Sequence, residues 1–331
     1  MHGRAIRKAG LKMMLARSRS RACAATLLVL LVFPFSLFSS DEPPAAGSRS
    51  VPAPAFSLAI LNPLTSPAAA IAAAPLAPEK YTLRNLTRDF LKDAGQIWSY
   101  PVHIQARDIL PIAALATATG LLIANDESIY RGFKNYRDNH GWVRAVSPVI
   151  TKMGSWGAWG TAGAFLAVGL IAGDKKSTET AVLAANAMLQ SELLVGFLKG
   201  LFGRQRPEAA GGVDHWSGPA GFFKMYEKGK LGLYDSFPSG HAITAFTLAT
   251  VLAMQYRETV WVPILSYTVA GGVGLSRVTE SKHWLSDVLV GGVLGCLVGR
   301  LVVRNHRQRY HVTPAVGLDH GSLGFTLTLA R

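Results

Sequence analysis

From residue 81 onward the chain is written almost entirely in helical periods. Leu83, Leu86, Phe90, Ala94 and Ile97 recur at three- and four-residue steps and stop before Pro101, which predicts an amphipathic helix within 80–104. Six apolar segments follow, at roughly 109–125, 146–173, 180–202, 241–256, 259–276 and 285–303. Gly, Ala and Leu dominate them and no strand-like alternation intervenes, so each reads as a helix. The expected fold class is all-α, a six-helix bundle over 105–305. Alternation enters only in the tail 306–331, where Gly321 precedes Phe325-Thr326-Leu327-Thr328-Leu329, and a short β-hairpin is expected there.

A bilayer span needs about 20 apolar residues. Segment 146–173 is long enough, whereas the first, fourth and sixth are short or carry charge near an end, such as Arg300 and Arg304. Such lengths suit a buried bundle as well as a membrane-embedded one, and the membrane-embedded bundle is the expectation. Lys and Arg outside the helices fall almost evenly on the two sides, so they give no orientation.

The N-terminal stretch changes the picture in a different way. Residues 1–22 are basic and Ala24–Phe38 is an apolar run broken by Pro34, so 1–40 reads as an export signal or an uncleaved anchor. Residues 41–79, rich in Pro, Ala and Ser, read as a linker. The chain is 49% apolar and only 16% charged, which excludes a disordered protein. Half of its net charge of +14 lies in that basic stretch, and the body has no basic face with groove-reading context; no nucleic-acid partner is expected. Cys23 and Cys296 are too few and too distant for a disulfide framework or a cysteine metal site.

Three clusters carry chemistry. Lys199 and Arg206-Pro207 (KGLFGRQRP) close the third apolar segment, Pro238-Ser239-Gly240-His241 opens the fourth, and Ser276-Arg277, His283 and Asp287 (SRVTESKHWLSD) span the turn from the fifth to the sixth. In an up-down bundle all three fall at one end. Lys199, Arg206 and Arg277 make a clamp suited to a tetrahedral anion. Ser239 stands where a helix N-cap belongs, with the free amides of Gly240 and His241 behind it, and Gly240 lets a ligand approach the backbone. His283 and Asp287 are four apart, so the carboxylate can hold one ring nitrogen and leave the other as a nucleophile. His241 is then free for acid and base work.

The set resembles the signature of the type 2 phosphatidic acid phosphatase and vanadium haloperoxidase superfamily: K-x6-RP, PSGH and SR-x5-H-x3-D, matched at every position. The motifs span about 90 residues, and the leader, linker and tail lie outside the resemblance. The resemblance implies a phosphatase that needs no metal or other cofactor, although vanadate could occupy its phosphate site. His283 would be the nucleophile, forming a phosphohistidine. Asp287 would orient it, and His241 would protonate the leaving oxygen and then activate water. Lys199, Arg206, Ser239, Gly240 and Arg277 would hold the phosphoryl oxygens.

A vanadium-dependent haloperoxidase would use nearly the same pocket, but only about 35 residues separate PSGH from Ser276-Arg277, which suits the compact phosphatase branch. A non-enzymatic lipid-phosphate binder would not need the nucleophile and the acid. The apolar body favours a phosphorylated lipid substrate, and a small phosphomonoester stays open. Trp216, Phe222, Phe223, Tyr226 and Tyr234 in the loop 208–235 would either shape access for a lipid tail or pack ordinarily. The resemblance places the site on the extracytoplasmic side of the cell membrane, or in an exported, periplasmic protein. Six spanning helices after a translocated leader would put it on the other side, so the leader and the bundle cannot both cross in that simple way. Nothing in the sequence fixes the oligomeric state.

Overall fold

The computed structural model describes residues 81–225, 232–310, 313–319 and 322–328. The expected signal or anchor and the linker lie outside the described residues, as does Tyr226.

Helix α1 (Leu83–Ser99) begins at Thr82, whose hydroxyl accepts from Asn85 N at 3.3 Å, and passes into a 3-10 turn at Tyr100–Val102. The bundle follows: α2 (Ala106–Ile123), α3 (Asp126–Asn139), α4 (Gly141–Met153), α5 (Trp156–Ala172), α6 (Lys175–Phe202), the short α7 (Ala220–Met225), α8 (Gly240–Gln255), α9 (Trp261–Thr279) and α10 (Leu285–Tyr310). Strands β1 (Thr313–Asp319) and β2 (Ser322–Thr328) pair antiparallel as the tail hairpin.

All six predicted helices are present, with three differences. Segment 146–173 lies across two helices, α4 and α5, bent by 45° at Gly154-Ser155, a Gly/Ser break of the kind that kinks helices. Helix α3 is additional: it is polar on most sides and buries only Ile129 and Tyr130 with Asp126. Helix α10 runs to Tyr310, five residues past the expected end of the domain.

The core lies where α5, α6, α8 and α10 meet. Leu183 and Met188 of α6, Leu248 and Val251 of α8, and Val298, Val302 and Val303 of α10 are buried together against Ala158 and Ala162 of α5. Each large side chain buried this way stabilises the fold by about 1.5–3 kcal/mol. Ser191, Thr247 and the Gly295 carbonyl form a buried hydrogen-bonded bridge across the three central helices.

Helix α10 approaches α8 through Gly291, Gly295 and Gly299, one small residue per turn on a single face. A methyl group on Gly295 would fall 2.4 Å from Ile243 O and 3.0 Å from Thr247 N. Gly295→Ala is therefore expected to destabilise the protein by about 1–3 kcal/mol, the usual cost of overpacking. Gly163→Ala, where nothing lies within 4 Å, is the matched control in thermal unfolding. Equal midpoints for the two variants would remove the close-approach argument.

Helices α2, α6 and α10 are long and apolar enough to cross a membrane, and the bent α4–α5 pair makes a fourth candidate. Helix α2 turns Ile109, Leu110, Ile112 and Leu121 outward. Hydrocarbon solvates such a surface and water does not, so the bundle is membrane-embedded.

Candidate active site

The three sequence clusters converge at one end of the bundle, and the local reasons are visible. Helix α6 stops at Gly203 in the left-handed region (φ 53°), where a Cβ would meet Gly218 O at 2.3 Å. The chain turns there and delivers Arg204 and Arg206 from beside the last turn that carries Lys199. Helix α8 starts at Ser239, whose buried hydroxyl accepts from Ala242 N at 3.4 Å. The Ser239 amide donates to Asp287 O at 3.0 Å, which ties the second motif to the third. A methyl built on Gly240 would lie 3.7 Å from Lys199 Nζ, so the first motif meets the second at the helix N-terminus. The His283 and Lys282 amides both bond to Arg277 O, closing the turn that places His283 beside the α10 start.

His283 is almost fully buried, and its Nδ1 is 2.7 Å from the Ser236 carbonyl. With Nδ1–H donating there, Nε2 carries the free lone pair. Burial pushes the imidazole well below its ordinary pKa, and Lys199, Arg206 and Arg277 push it further, so it is neutral and nucleophilic. His241 is half-buried at the head of α8, and its side chain makes no hydrogen bond to the described residues.

The expected direct bond between Asp287 and His283 is not what the geometry provides. Asp287 Oδ2 is 3.6 Å from Nδ1, beyond hydrogen-bond reach. Asp287 instead accepts from Ser236 Oγ at 2.5 Å, Trp284 N at 2.9 Å and Arg204 Nη1 at 2.5 Å. The carboxylate therefore reaches the imidazole through Ser236, whose side chain it holds and whose carbonyl holds the ring.

Two carboxylates that the motifs do not include shape the cationic clamp. Asp235 takes the Arg206 fork at 2.8 and 2.9 Å and lies 3.4 Å from Lys199 Nζ. Burial pushes the Asp235 carboxyl up, but Lys199 and Arg206 outweigh it and hold it at about 2. Glu280 accepts from Arg277 Nη1 at 2.9 Å and from Thr151. Arg277 Nε is buried with no hydrogen-bond partner among the described residues, as a donor awaiting an anion would be.

Behind this lies Arg204, an unassigned position within K-x6-RP. It is fully buried, ion-paired to Asp126, Asp214 and Asp287, bonded to Ser286, and stacked between Trp216 and Trp284 at 4.6 and 5.0 Å. Trp216 of the 208–235 loop is thus packing material for Arg204 and for Phe202 and Phe237, whereas Phe223 points outward. Among the described residues, no group of three or more His, Cys, Asp or Glu is arranged to hold a metal ion.

Comparison with known proteins agrees with the motifs. The lipid A 1-phosphatase of Porphyromonas gingivalis is 46% identical over 68 residues, 20% of this chain and 15% of that protein. The bacitracin transport permease protein BcrC of Bacillus licheniformis is 35% identical over 63 residues, 19% of this chain and 30% of that protein. The chain thus spans less than a third of the length of either relative. Among solved structures, Aquifex aeolicus LpxE is similar at 21% identity and TM-score 0.39, covering 54% of this chain and 93% of that one. The PAP2-type phosphatidylglycerolphosphate phosphatase of Bacillus subtilis has the same identity and TM-score, covering 67% and 94%. The PAP2 superfamily model matches residues 180–311, from the second turn of α6 to the end of α10 and through every motif residue. The stretch that carries all three motifs, residues 180–311, is thus the part of the chain that is similar to the PAP2 superfamily.

Proposed function

We propose that this chain is a metal-independent phosphatase of lipid phosphate esters, working through a phosphohistidine on His283. The observation that carries the reading is the pairing of a buried, neutral imidazole, held at Nδ1 by Ser236, with three cations that act on it from around the site. Lys199, Arg206 and Arg277 hold the phosphoryl oxygens, together with the amides at the α8 N-terminus. Ser239 caps that helix and keeps its hydroxyl proton to donate. Burial, with Arg277, Lys199 and Arg206, lowers the His241 imidazole to about 4 in the free site, and the negative charge of a bound phosphate opposes that shift and lets it hold a proton. The His283 Nε2 lone pair attacks phosphorus as the P–O ester bond breaks, and His241, protonated beside the bound phosphate, gives its proton to the leaving oxygen. His241 then takes a proton from water. The resulting hydroxide attacks phosphorus, the P–N bond breaks, and inorganic phosphate leaves.

A lipid substrate is supported by the apolar, outward-facing helices around the site and by the name of the Porphyromonas relative. Phosphatidate, an isoprenyl pyrophosphate and a lipid A phosphate all fit this chemistry. Phosphate release from those lipids and from a water-soluble monoester, each in excess chelator, is the direct test. Turnover that survives EDTA and favours a lipid is expected. Loss in EDTA with recovery on adding a divalent ion would overturn the mechanism. A preference for the soluble ester would overturn the lipid assignment.

The site is proposed to face the extracytoplasmic side. A cysteine placed at the exposed Phe223 is then expected to react with an impermeant thiol reagent in intact cells. Protection there, with reaction after lysis, would reverse the orientation.

A further inference from the structure

The end of the bundle remote from the active site carries a feature that phosphoryl transfer does not use. Helix α1 is amphipathic, but it is seated with its carboxylates inward. Asp93 is buried and accepts from Asn186, Asn305 and Arg309, while Asp89 accepts from Tyr310. These partners lie on α6 and in the last two turns of α10. Asn305 is 18 residues along α10 from Asp287, roughly 27 Å at the helical rise.

The outward face of α1 therefore holds both cations and leucines. Arg84, Arg88 and Lys92 fall at four-residue steps, and Leu83 and Leu91 beside them are 81% and 62% exposed. Those five residues and Thr87 share one open face of the helix. Arg88 is shared with Asp89 and Tyr310, whereas Arg84 and Lys92 have no acidic partner among the described residues. Lys175 and Arg304, on the two membrane-length helices that α1 packs against, are also exposed without an acidic partner among the described residues.

We propose that this face of α1 is a binding site for an anionic phospholipid, distinct from the catalytic pocket. The lipid phosphate sits among Arg84, Arg88 and Lys92, and the first acyl carbons lie on Leu83 and Leu91. Water would leave those leucines unsolvated, and a neutral headgroup would leave the cations unmatched. A surface that is anionic above and apolar below satisfies both. The occupant also fixes α1 in its groove, because the same helix is pinned from inside by Asp89 and Asp93. The proposal rests on the membrane placement of the bundle and not on its phosphatase chemistry.

The test uses full-length protein in neutral detergent, with the thermal midpoint followed against phosphatidylglycerol, phosphatidylcholine, inorganic phosphate and an acidic peptide. Phosphatidylglycerol is a phosphodiester, so a monoesterase site does not consume it. Stabilisation by phosphatidylglycerol alone is expected, weakening as salt is raised. The double variant Arg84→Gln, Lys92→Gln changes only exposed side chains. Its apparent affinity for phosphatidylglycerol is expected to fall by about fivefold per residue, roughly twenty-five-fold together. Unchanged affinity in the double variant overturns the site. Equal stabilisation by phosphatidylcholine overturns the charge argument, by inorganic phosphate moves the effect to the catalytic clamp, and by the acidic peptide assigns the face to a protein. Turnover of a water-soluble phosphomonoester is expected to be the same in the variant and the parent. If neither shows turnover, the phosphatase reading fails while the lipid site is judged on its own titration.

Discussion

His283→Ala is expected to lose roughly four to six orders of magnitude in kcat on a phosphate monoester, the usual cost of removing a covalent nucleophile. KM is expected to change little, because Lys199, Arg206 and Arg277 still face the phosphoryl group. The fold should survive. His283 lies in the turn between α9 and α10, its side chain bonds to the Ser236 carbonyl, and losing that bond costs about 1–3 kcal/mol. Circular dichroism and the thermal midpoint check the fold, and added imidazole should restore part of the turnover by filling the vacated space. Activity within tenfold of the parent, in folded protein, would end the nucleophile assignment. The same experiment bears on Asp287. Because Asp287 acts on the ring through Ser236, Asp287→Asn should cost far less than His283→Ala; a loss as large as that of His283→Ala would mean that the carboxylate meets the imidazole directly during turnover.

What the sequence disclosed and what it hid divide along a physical line. Lys199, Arg206, Ser239, His241, Arg277, His283 and Asp287 sit in short windows with fixed spacing, each beside a helix end, and their convergence follows from the up-down connectivity of the bundle. The partners that set their geometry are of another kind. Asp126 meets Ser286 across 160 residues, and Asp235 acts on Arg206 across 29. Such pairings follow from tertiary packing and leave no periodic trace. Arg204 occupies one of the variable positions of K-x6-RP, and its meaning comes from distant partners, including the Trp216 and Trp284 rings at 4.6 and 5.0 Å. Helix α3 could have been found, since Ile129, Tyr130 and Phe133 lie at helical spacing, and Gly154-Ser155 marks the break between α4 and α5.

Arg204→Ala is expected to be the most destabilising single change in the molecule. Arg204 and its partners Asp126 and Asp287 are fully buried and Asp214 partly so, with one guanidinium serving three carboxylates. Burial pushes the Asp126 carboxyl up to about 6 even with Arg204 and Ser286 opposing it, so this group is already close to releasing its charge. Removing the guanidinium leaves the carboxylates in low dielectric without a counterion and empties the space between two tryptophans. Breaking a buried pair in this way costs about 3–5 kcal/mol, a large fraction of the roughly 5–15 kcal/mol that holds a domain folded. Arg204→Lys should recover only part of the loss, because an ammonium cannot reach Asp126, Asp214 and Asp287 in the plane of a fork. Asp126→Asn added to Arg204→Ala should recover more than it costs alone, since it deletes one of the stranded charges. Thermal midpoints of the parent, the three single variants and the double variant in one detergent decide the matter. A folded Arg204→Ala variant of near-parental stability, or a double variant weaker than the sum of its parts, would show that the three carboxylates do not depend on this guanidinium. Asp287 would then need another source for the alignment it lends, through Ser236, to His283.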